Sequence, residues 1–232
     1  MLTRHDRTAL IEEYRTRGFV RIASFLPDEQ STALYRLLRQ RTDWKQVFNS
    51  GKKVFELDRG TRATLDGKRK NALDEAVYAG AQEGFQYRYE TIRIPDDEAA
   101  RHESGDPLAD LAVYLSSGET RELLRAVTGA HDIRFADAQA TAYSPGDFLT
   151  GHDDRFPGKS RRAAYVLGLT PVWRLEWGGL LVMHGENNDA SRAYSPAMNV
   201  LTLFNIPQMH SVSEVTRAAA YRRYSITGWL RA

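Results

Sequence analysis

The amino-acid sequence predicts an α+β fold in which helices come first and an antiparallel β-sandwich or barrel follows. Helical periodicity dominates residues 1–131, whereas residues 132–232 consist of short β-rich runs that alternate with turns. A composition with 42% hydrophobic and 27% charged residues is that of a folded globular protein. A chain of 232 residues is within the range of one hydrophobic core, so we expect a single domain over residues 1–232.

The chain opens with two predicted helices and a strand between them. Residues 3–17 carry apolar side chains at helical spacing and stop at Gly18, a typical C-terminal signal. Residues 19–25 are apolar enough for a short strand. The second helix begins at Pro27, has acidic residues in its first turn, and carries a stripe of leucines.

Three more helices and one strand complete the first half. A basic helix is expected at about 69–83, and two further helices at roughly 107–115 and 118–128. Between them, residues 85–94 place aromatic side chains at every second position, which is the pattern of a strand. We therefore expect the first half to be a mainly helical elaboration of the barrel.

The second half is predicted to be the β-barrel, residues 132–232. Its β-rich runs are IRFADAQATAY, RAAYVLGLT, GGLLVMHG, MNVLTLFNI, HSVSEV and YRRYSITGWLR.

Charge and cysteine content exclude several classes of protein. The 32 basic and 30 acidic residues give a net charge of +2, so no electrostatic argument favours nucleic acid. The sequence has no cysteine, which excludes disulfides, thiolate zinc sites and a cysteine nucleophile. The N-terminus is charged, and no stretch is apolar enough to span a membrane. We therefore expect a cytoplasmic protein without a membrane or nucleic-acid partner.

The stretch GHDD contains the first part of a candidate metal site. On an extended segment, His152 and Asp154 are two residues apart and point the same way. An imidazole with a carboxylate is a ligand set that iron(II) or manganese(II) accepts. Because a single H-x-D pair also occurs on ordinary surface turns, this site requires a third ligand from a later strand.

His210 is the candidate for that third ligand. It begins HSVSEV directly after the apolar run LTLFNIPQM, at the junction of two strands. Together with His152 and Asp154 it would form a facial triad, which leaves three metal positions open for oxygen chemistry. The other histidines are expected in surface or loop positions: His5, His102, His131 and His184.

If those open positions bind 2-oxoglutarate, its far carboxylate requires a cation inside the barrel. In YRRYSITGWLR, strand alternation places Arg223, Ser225 and Thr227 on one face and Arg222 on the other. Small hydroxyl side chains beside Arg223 leave room for a ligand, and a guanidinium matches a carboxylate in shape and charge. We therefore expect Arg223 to face the barrel interior.

Several motifs in fixed order make a family resemblance specific. They are HDD, RRAAYVLGLTPVWRLEWGGLL, NVLTLFNIPQMHSV and RRYSITGWL. In this order they resemble the iron(II)/2-oxoglutarate dioxygenases of the prolyl-hydroxylase type, most of all the branch with the ribosomal-protein prolyl hydroxylases. The resemblance covers roughly residues 138–231. It implies a double-stranded β-helix, the jelly-roll barrel shared with cupins, wrapped by flanking N-terminal helices.

The resemblance also implies the roles of individual residues. The residues that bind iron(II) in the family correspond to His152, Asp154 and His210. The family arginine that binds the 2-oxoglutarate carboxylate corresponds to Arg223. Tyr143, in AYSPGD, falls on a tyrosine that hydrogen-bonds the cosubstrate.

A second tyrosine that contacts the cosubstrate in the family corresponds to Gly168 of this chain, in YVLGL. This chain therefore departs from the family pattern at that position. The contact is therefore either missing or supplied by Tyr165 or Thr227.

The activity implied is hydroxylation of an unactivated C–H bond, with iron(II) as cofactor, 2-oxoglutarate and oxygen as cosubstrates, and ascorbate as an auxiliary reductant. The resemblance implies a prolyl residue of a protein or peptide as substrate, and the long segment 44–106, rich in arginine and tyrosine, is suited to line a peptide groove. A free amino acid or small metabolite is the alternative. A cupin-like metalloenzyme that does not use 2-oxoglutarate and a non-catalytic binding module also remain open.

Overall fold

Helices dominate the first half of the chain and strands the second, as the sequence predicts. The structure is a computed structural model that describes residues 7–232, so residues 3–6 of the first predicted helix lie outside it. The described part contains seven α-helices. These are α1 Arg7–Arg17, α2 Asp28–Gln40, α3 Arg59–Thr64, α4 Gly67–Glu83, α5 Glu98–Ser104, α6 Pro107–Ser116 and α7 Gly118–Thr128.

Strands run through the whole described chain. They are β1 Phe19–Ala23, β2 Lys45–Ser50, β3 Lys53–Asp58, β4 Tyr87–Arg93, β5 Phe135–Ala136, β6 Gln139–Tyr143, β7 Phe148–His152, β8 Arg161–Leu169, β9 Leu181–Met183, β10 Arg192–Tyr194, β11 Met198–Asn205, β12 His210–Val212 and β13 Arg223–Arg231.

One curled antiparallel sheet forms the barrel. Its strands follow the order β1-β11-β8-β13-β6-β4-β7-β12-β9-β10. The two ends of this path come together, because the ring of Phe19 on β1 contacts that of Tyr194 on β10 with centroids 5.7 Å apart. The predicted double-stranded β-helix is therefore confirmed, and its interior is enclosed between the β13 side and the β12 side of the sheet.

The first half contributes more strand than the sequence predicts. The hairpin of β2 and β3 was not predicted, although its turn contains Gly51 in the left-handed region, with φ +57°. Strand β2 then pairs with β4 and extends the barrel sheet. Helix α5 was also missed, because seven residues are too few to show helical periodicity.

Strand alternation separates a helix-covered face of the sheet from the barrel interior. On the outer face, Leu167 of β8 and Ile226 of β13 are buried in the main core with Leu108 of α6, Leu124 of α7 and Leu38 of α2. Each such side chain contributes about 1.5–3 kcal/mol through burial. The alternate residues of the same strands point into the barrel, which is where the candidate site lies.

The described helices also bear on membrane insertion. Among residues 7–232, none of them combines the length and apolar character needed to cross a bilayer.

Candidate active site

A cavity of about 750 Å³ opens into the barrel. One wall is formed by the inward-facing residues of β13, among them Arg223 and Thr227. The opposite wall carries His152 and His210, from β7 and β12. The cavity therefore contains both the candidate metal ligands and the candidate cosubstrate cation.

The three predicted metal ligands come together at one point of this cavity. His152 and His210 are direct partners in the β7–β12 register, and Asp154 follows two residues after His152. The Asp154 carboxylate lies 3.5 Å from Nε2 of each imidazole. The three potential ligand atoms all lie within 4.8 Å of one another, which fits one bound metal ion.

Backbone hydrogen bonds orient both imidazoles. Nδ1 of His152 lies 3.0 Å from the carbonyl oxygen of Thr150, and Nδ1 of His210 lies 2.8 Å from that of Gln208. Because a carbonyl only accepts, Nδ1 is the donor and Nε2 keeps its lone pair for a metal. Burial, together with the neighbouring imidazole, lowers the pKa of His210 to about 4, so this ring is neutral near pH 7.

Asp154 has an unusual backbone conformation that a neighbouring arginine supports. Its φ is +61°, in the left-handed region, which aspartate tolerates better than most residues. Nη1 of Arg161 donates to the Asp154 carbonyl at 2.9 Å, and the Arg161 guanidinium lies 3.4 Å from the ring centre of Trp229. This stacked arginine was not predicted from the sequence, because its contact depends on the loop that joins β7 to β8.

Arg223 is a buried cation without an acidic partner. It is only 4% exposed, and its Nε has no hydrogen-bond partner within residues 7–232. Nη1 lies 3.5 Å from Oγ of Ser225, and the guanidinium lies 4.9 Å from the ring centre of Tyr143. Burial lowers the pKa of Arg223. Because an unpaired buried charge is costly, this end of the cavity fits an anion such as a carboxylate.

Tyr143 and Thr227 also face this cavity. The ring of Tyr143 stacks on that of Tyr89 with centroids 5.1 Å apart, and burial raises the pKa of the Tyr143 phenol above its usual value. Thr227 lies on the same face of β13 as Arg223 and lines the cavity. Both hydroxyls are therefore available to a ligand that extends from the metal site to Arg223.

The structure does not bring the Tyr165 hydroxyl to the carboxylate end. This hydroxyl donates to the Asp137 carbonyl at 2.7 Å, and the side chain belongs to the main core. Tyr165 and Gly168 are three residues apart on β8, and residues at odd separation point to opposite faces. Tyr165 nevertheless lines the cavity together with Thr227, so the expectation that one of them supplies the contact missing at Gly168 stays a prediction.

Gly168 lacks a side chain because a neighbouring segment occupies the space. A Cβ at this position would lie 2.3 Å from the carbonyl oxygen of Ala197. We expect Gly168→Ala to lower the free energy of unfolding by about 1–3 kcal/mol, since the backbone must shift. Gly67→Ala is the matched control, because nothing lies within 4 Å of a Cβ there. Denaturant unfolding of both variants measures the difference, and equal stabilities would contradict this packing.

Aromatic side chains form a continuous wall from the mouth of the cavity to its floor. The rings of Phe85, Tyr87, Tyr89 and Tyr143 follow one another at centroid distances of 5.6, 5.5 and 5.1 Å. The alternation of aromatic residues in 85–94 predicted their shared face. Their proximity to the metal site depends on the pairing of β4 with β7, which the sequence does not reveal.

The remaining histidines that the structure describes lie apart from the triad. Nε2 of His184 lies 2.8 Å from Oγ of Ser211, so it has a polar partner of its own. His102 is within reach of Glu98 on α5, and His131 is exposed. Within residues 7–232, the metal-sized cluster of acidic and imidazole groups consists of His152, Asp154 and His210. His5 lies outside the described residues.

Comparisons with known proteins agree with this geometry. Residues 138–231 match the model of the 2OG-Fe(II) oxygenase superfamily. Prolyl 3-hydroxylase OGFOD1 of Xenopus laevis is 30% identical over 116 residues, 47% of this chain and 22% of that protein. Prolyl 3-hydroxylase sudestada1 of Drosophila melanogaster is 30% identical over 124 residues, 48% of this chain and 22% of that protein. The chain thus spans about a fifth of the length of these relatives.

Solved structures share the fold. A prolyl-4-hydroxylase of Pseudomonas putida superimposes with a TM-score of 0.61 at 20% identity, over 97% of this chain and 98% of that one. A prolyl hydroxylase of Trichoplax adhaerens, in complex with a hypoxia inducible factor peptide fragment, gives 0.59 at 18% identity, over 97% and 88%.

Fold, candidate site and comparisons agree with one another. Residues 138–231 are similar to the 2OG-Fe(II) oxygenase superfamily. The predicted resemblance to the prolyl-hydroxylase type is confirmed. That family is named for iron(II) and 2-oxoglutarate, and the donor set at the triad suits this metal.

Proposed function

We propose that this chain hydroxylates an unactivated C–H bond, holding iron(II) through His152, Asp154 and His210 and 2-oxoglutarate through Arg223. The observation that carries the proposal is the presence, in one cavity, of three converging metal ligands and an unpaired buried arginine. When bound, iron(II) and 2-oxoglutarate supply the oxidation: 2-oxoglutarate and oxygen become succinate and carbon dioxide, and one oxygen atom enters the substrate.

The protein's own residues provide binding and orientation. The imidazoles of His152 and His210 and the carboxylate of Asp154 would hold iron(II), and three protein ligands would leave positions for the cosubstrate and oxygen. Arg223 fixes the far carboxylate, and the hydroxyls of Tyr143 and Thr227 are placed to hydrogen-bond the cosubstrate along its length. The aromatic wall of the cavity restricts water near the metal, which protects a reactive site from side reactions.

We propose a prolyl residue in a polypeptide as the substrate. Two relatives that align with part of this chain are named prolyl 3-hydroxylases. The mouth of the cavity also presents two exposed rings, Phe85 at 49% and Phe156 at 58%, which suit packing against a proline ring. Arg93 and Arg161 line the same cavity and offer donors to backbone carbonyls.

The substrate is tested by succinate release at matched concentrations of proline-containing peptides, free proline and other amino acids. We expect coupled turnover with a peptide, together with a mass gain of one oxygen on a prolyl residue. Asp153→Ala is a suitable active control, since Asp153 pairs with Arg155 beside the triad. Robust turnover of a free amino acid, with all peptides inert, would contradict the polypeptide substrate and favour a metabolite hydroxylase.

The same assay separates the remaining alternatives. A cupin-like metalloenzyme would bind metal without consuming 2-oxoglutarate, and the unpaired Arg223 argues against it. A non-catalytic binding module would release no succinate with any substrate. Omission of ascorbate tests its auxiliary role, for which we expect a lower yield over repeated turnovers and no change in the first.

A further inference from the structure

A second, smaller cavity adjoins the floor of the proposed cosubstrate pocket. It has a volume of about 20 Å³ and is lined on the β13 and β8 strands by Arg223 and Gly168. Residues of the strands where the barrel closes also line it, namely Arg21, Tyr194 and Thr202. The proposed cosubstrate cation, Arg223, and residues of the strands where the barrel closes therefore line the same small cavity.

Strand register directs Arg21 into the barrel. Arg21 pairs with Thr202, Thr202 with Val166, and Val166 with Thr227. Directly opposite residues of an antiparallel sheet share a face. Because Thr227 and Val166 line the active-site cavity, Arg21 is on the interior side of the sheet.

Arg21 resembles Arg223 in lacking an acidic partner. Its Nε is buried and has no hydrogen-bond partner in the described chain, and its guanidinium lies 4.5 Å from the ring centre of Tyr194. Burial lowers the pKa of Arg21. The buried Arg88, by contrast, has a carboxylate partner in Asp147.

The small cavity contains no negative charge of its own. Two arginines and several hydroxyl side chains line it, and neither aspartate nor glutamate is among its lining residues. Two half-buried or buried cations around a space without an anion favour binding of an anion from solution. Gly168 lines this space without a side chain, since the Ala197 carbonyl occupies the position of a Cβ.

We propose that Arg21 is a second cation of the cosubstrate site and extends its specificity to longer 2-oxo dicarboxylic acids. This inference rests on the proposed function, since it assumes a 2-oxo acid whose far carboxylate meets Arg223. With 2-oxoglutarate, Arg21 acts through one bridging water, which requires a cavity of about 10–15 Å³. With 2-oxoadipate, one methylene longer, the carboxylate extends past Arg223 toward Arg21 and Tyr194.

The test compares the affinities of 2-oxoglutarate and 2-oxoadipate for the wild type and for variants of Arg21. Both acids are titrated calorimetrically, without oxygen, into the full chain loaded with manganese(II), which accepts the same ligands as iron(II). Arg21→Met keeps the aliphatic stem and removes the charge. We expect this change to lower the affinity for 2-oxoglutarate by about fivefold. The loss for 2-oxoadipate should be larger, at about twentyfold or more, because its contact with Arg21 is direct.

Arg39→Met is the matched control. Arg39 is exposed on α2 and also lies over a tyrosine ring, at 5.7 Å from the centre of Tyr35, outside the barrel. It should leave both affinities unchanged. Arg21→Lys, which restores the charge on a similar stem, should recover part of the affinity for 2-oxoadipate and serves if Arg21→Met folds poorly.

Three outcomes overturn the inference. Unchanged affinities in Arg21→Met would show that Arg21 does not act on the ligand, and equal losses for both acids would show a purely structural role. Failure of the wild type to bind 2-oxoadipate would remove the extended specificity. Arg223→Ala separates this from the proposed function: if 2-oxoglutarate does not bind the wild type, or binds Arg223→Ala equally well, the proposed function itself fails.

Discussion

Replacement of Asp154 by alanine is expected to remove stoichiometric iron(II) from the protein and to abolish succinate release. Its carboxylate is the anionic member of the triad and lies 3.5 Å from Nε2 of both His152 and His210. Two neutral imidazoles alone hold a divalent ion weakly, because no negative charge offsets its desolvation. Metal content after anaerobic reconstitution, followed by a succinate assay, measures both effects.

Asp153→Ala controls for the loss of a carboxylate in the same loop. Asp153 accepts a hydrogen bond from Nε of Arg155 at 2.6 Å and does not belong to the triad. His184→Ala controls for the loss of an imidazole, since His184 pairs with Ser211. Both controls should retain iron and activity. An Asp154→Ala protein with full iron content and turnover would show that the metal lies elsewhere.

Replacement of Arg223 by alanine is expected to raise the 2-oxoglutarate requirement steeply while the metal site remains. Removing one partner of a buried, charge-assisted contact costs about 2–5 kcal/mol. Arg223 is 4% exposed and has no competing acidic partner in the described chain. Its loss therefore weakens the binding of 2-oxoglutarate and breaks no ion pair within the protein. The dependence of succinate release on 2-oxoglutarate concentration measures the effect, and metal content should be unchanged.

Arg222→Ala is the natural control, because it makes the same change one residue earlier on the other face of β13. Arg222 forms a close ion pair with Glu90 and lies 5.4 Å from the ring centre of Trp44. We expect Arg222→Ala to reduce thermal stability and to leave the 2-oxoglutarate requirement unchanged. The reverse ranking of the two variants would mean that the register of β13 is shifted by one residue.

The sequence predicted those parts of the site that follow from local strand geometry. His152 and Asp154 lie together, although Asp154 follows the end of β7 and has a positive φ rather than strand geometry. Alternate residues of a strand share a face, and this placed Arg223 with Thr227. The same rule distinguished Arg223 from Arg222. His210 required more, and its position at the junction of two apolar strands was the signal. The structure brings these side chains into one cavity.

The parts that the sequence did not predict depend on contacts between distant strands. Arg21 lies in the first strand and reaches the floor of the barrel only because β1 pairs with β11. Arg161 is positioned by a loop conformation that places Asp154 at positive φ. The Tyr165 hydroxyl donates to the Asp137 carbonyl, a contact between distant residues that strand alternation does not predict. Pairing and loop geometry, unlike periodicity, leave little trace in a single sequence.

The triad and Arg223 are proposed to form one site for a 2-oxo acid bound to the metal. Calorimetric titration of 2-oxoglutarate, without oxygen, into the protein with and without manganese(II) tests whether they do. We expect one equivalent of 2-oxoglutarate to bind when the metal is present, and removal of the metal to abolish tight binding. Equal affinity with and without manganese(II), or no binding in either case, would contradict it.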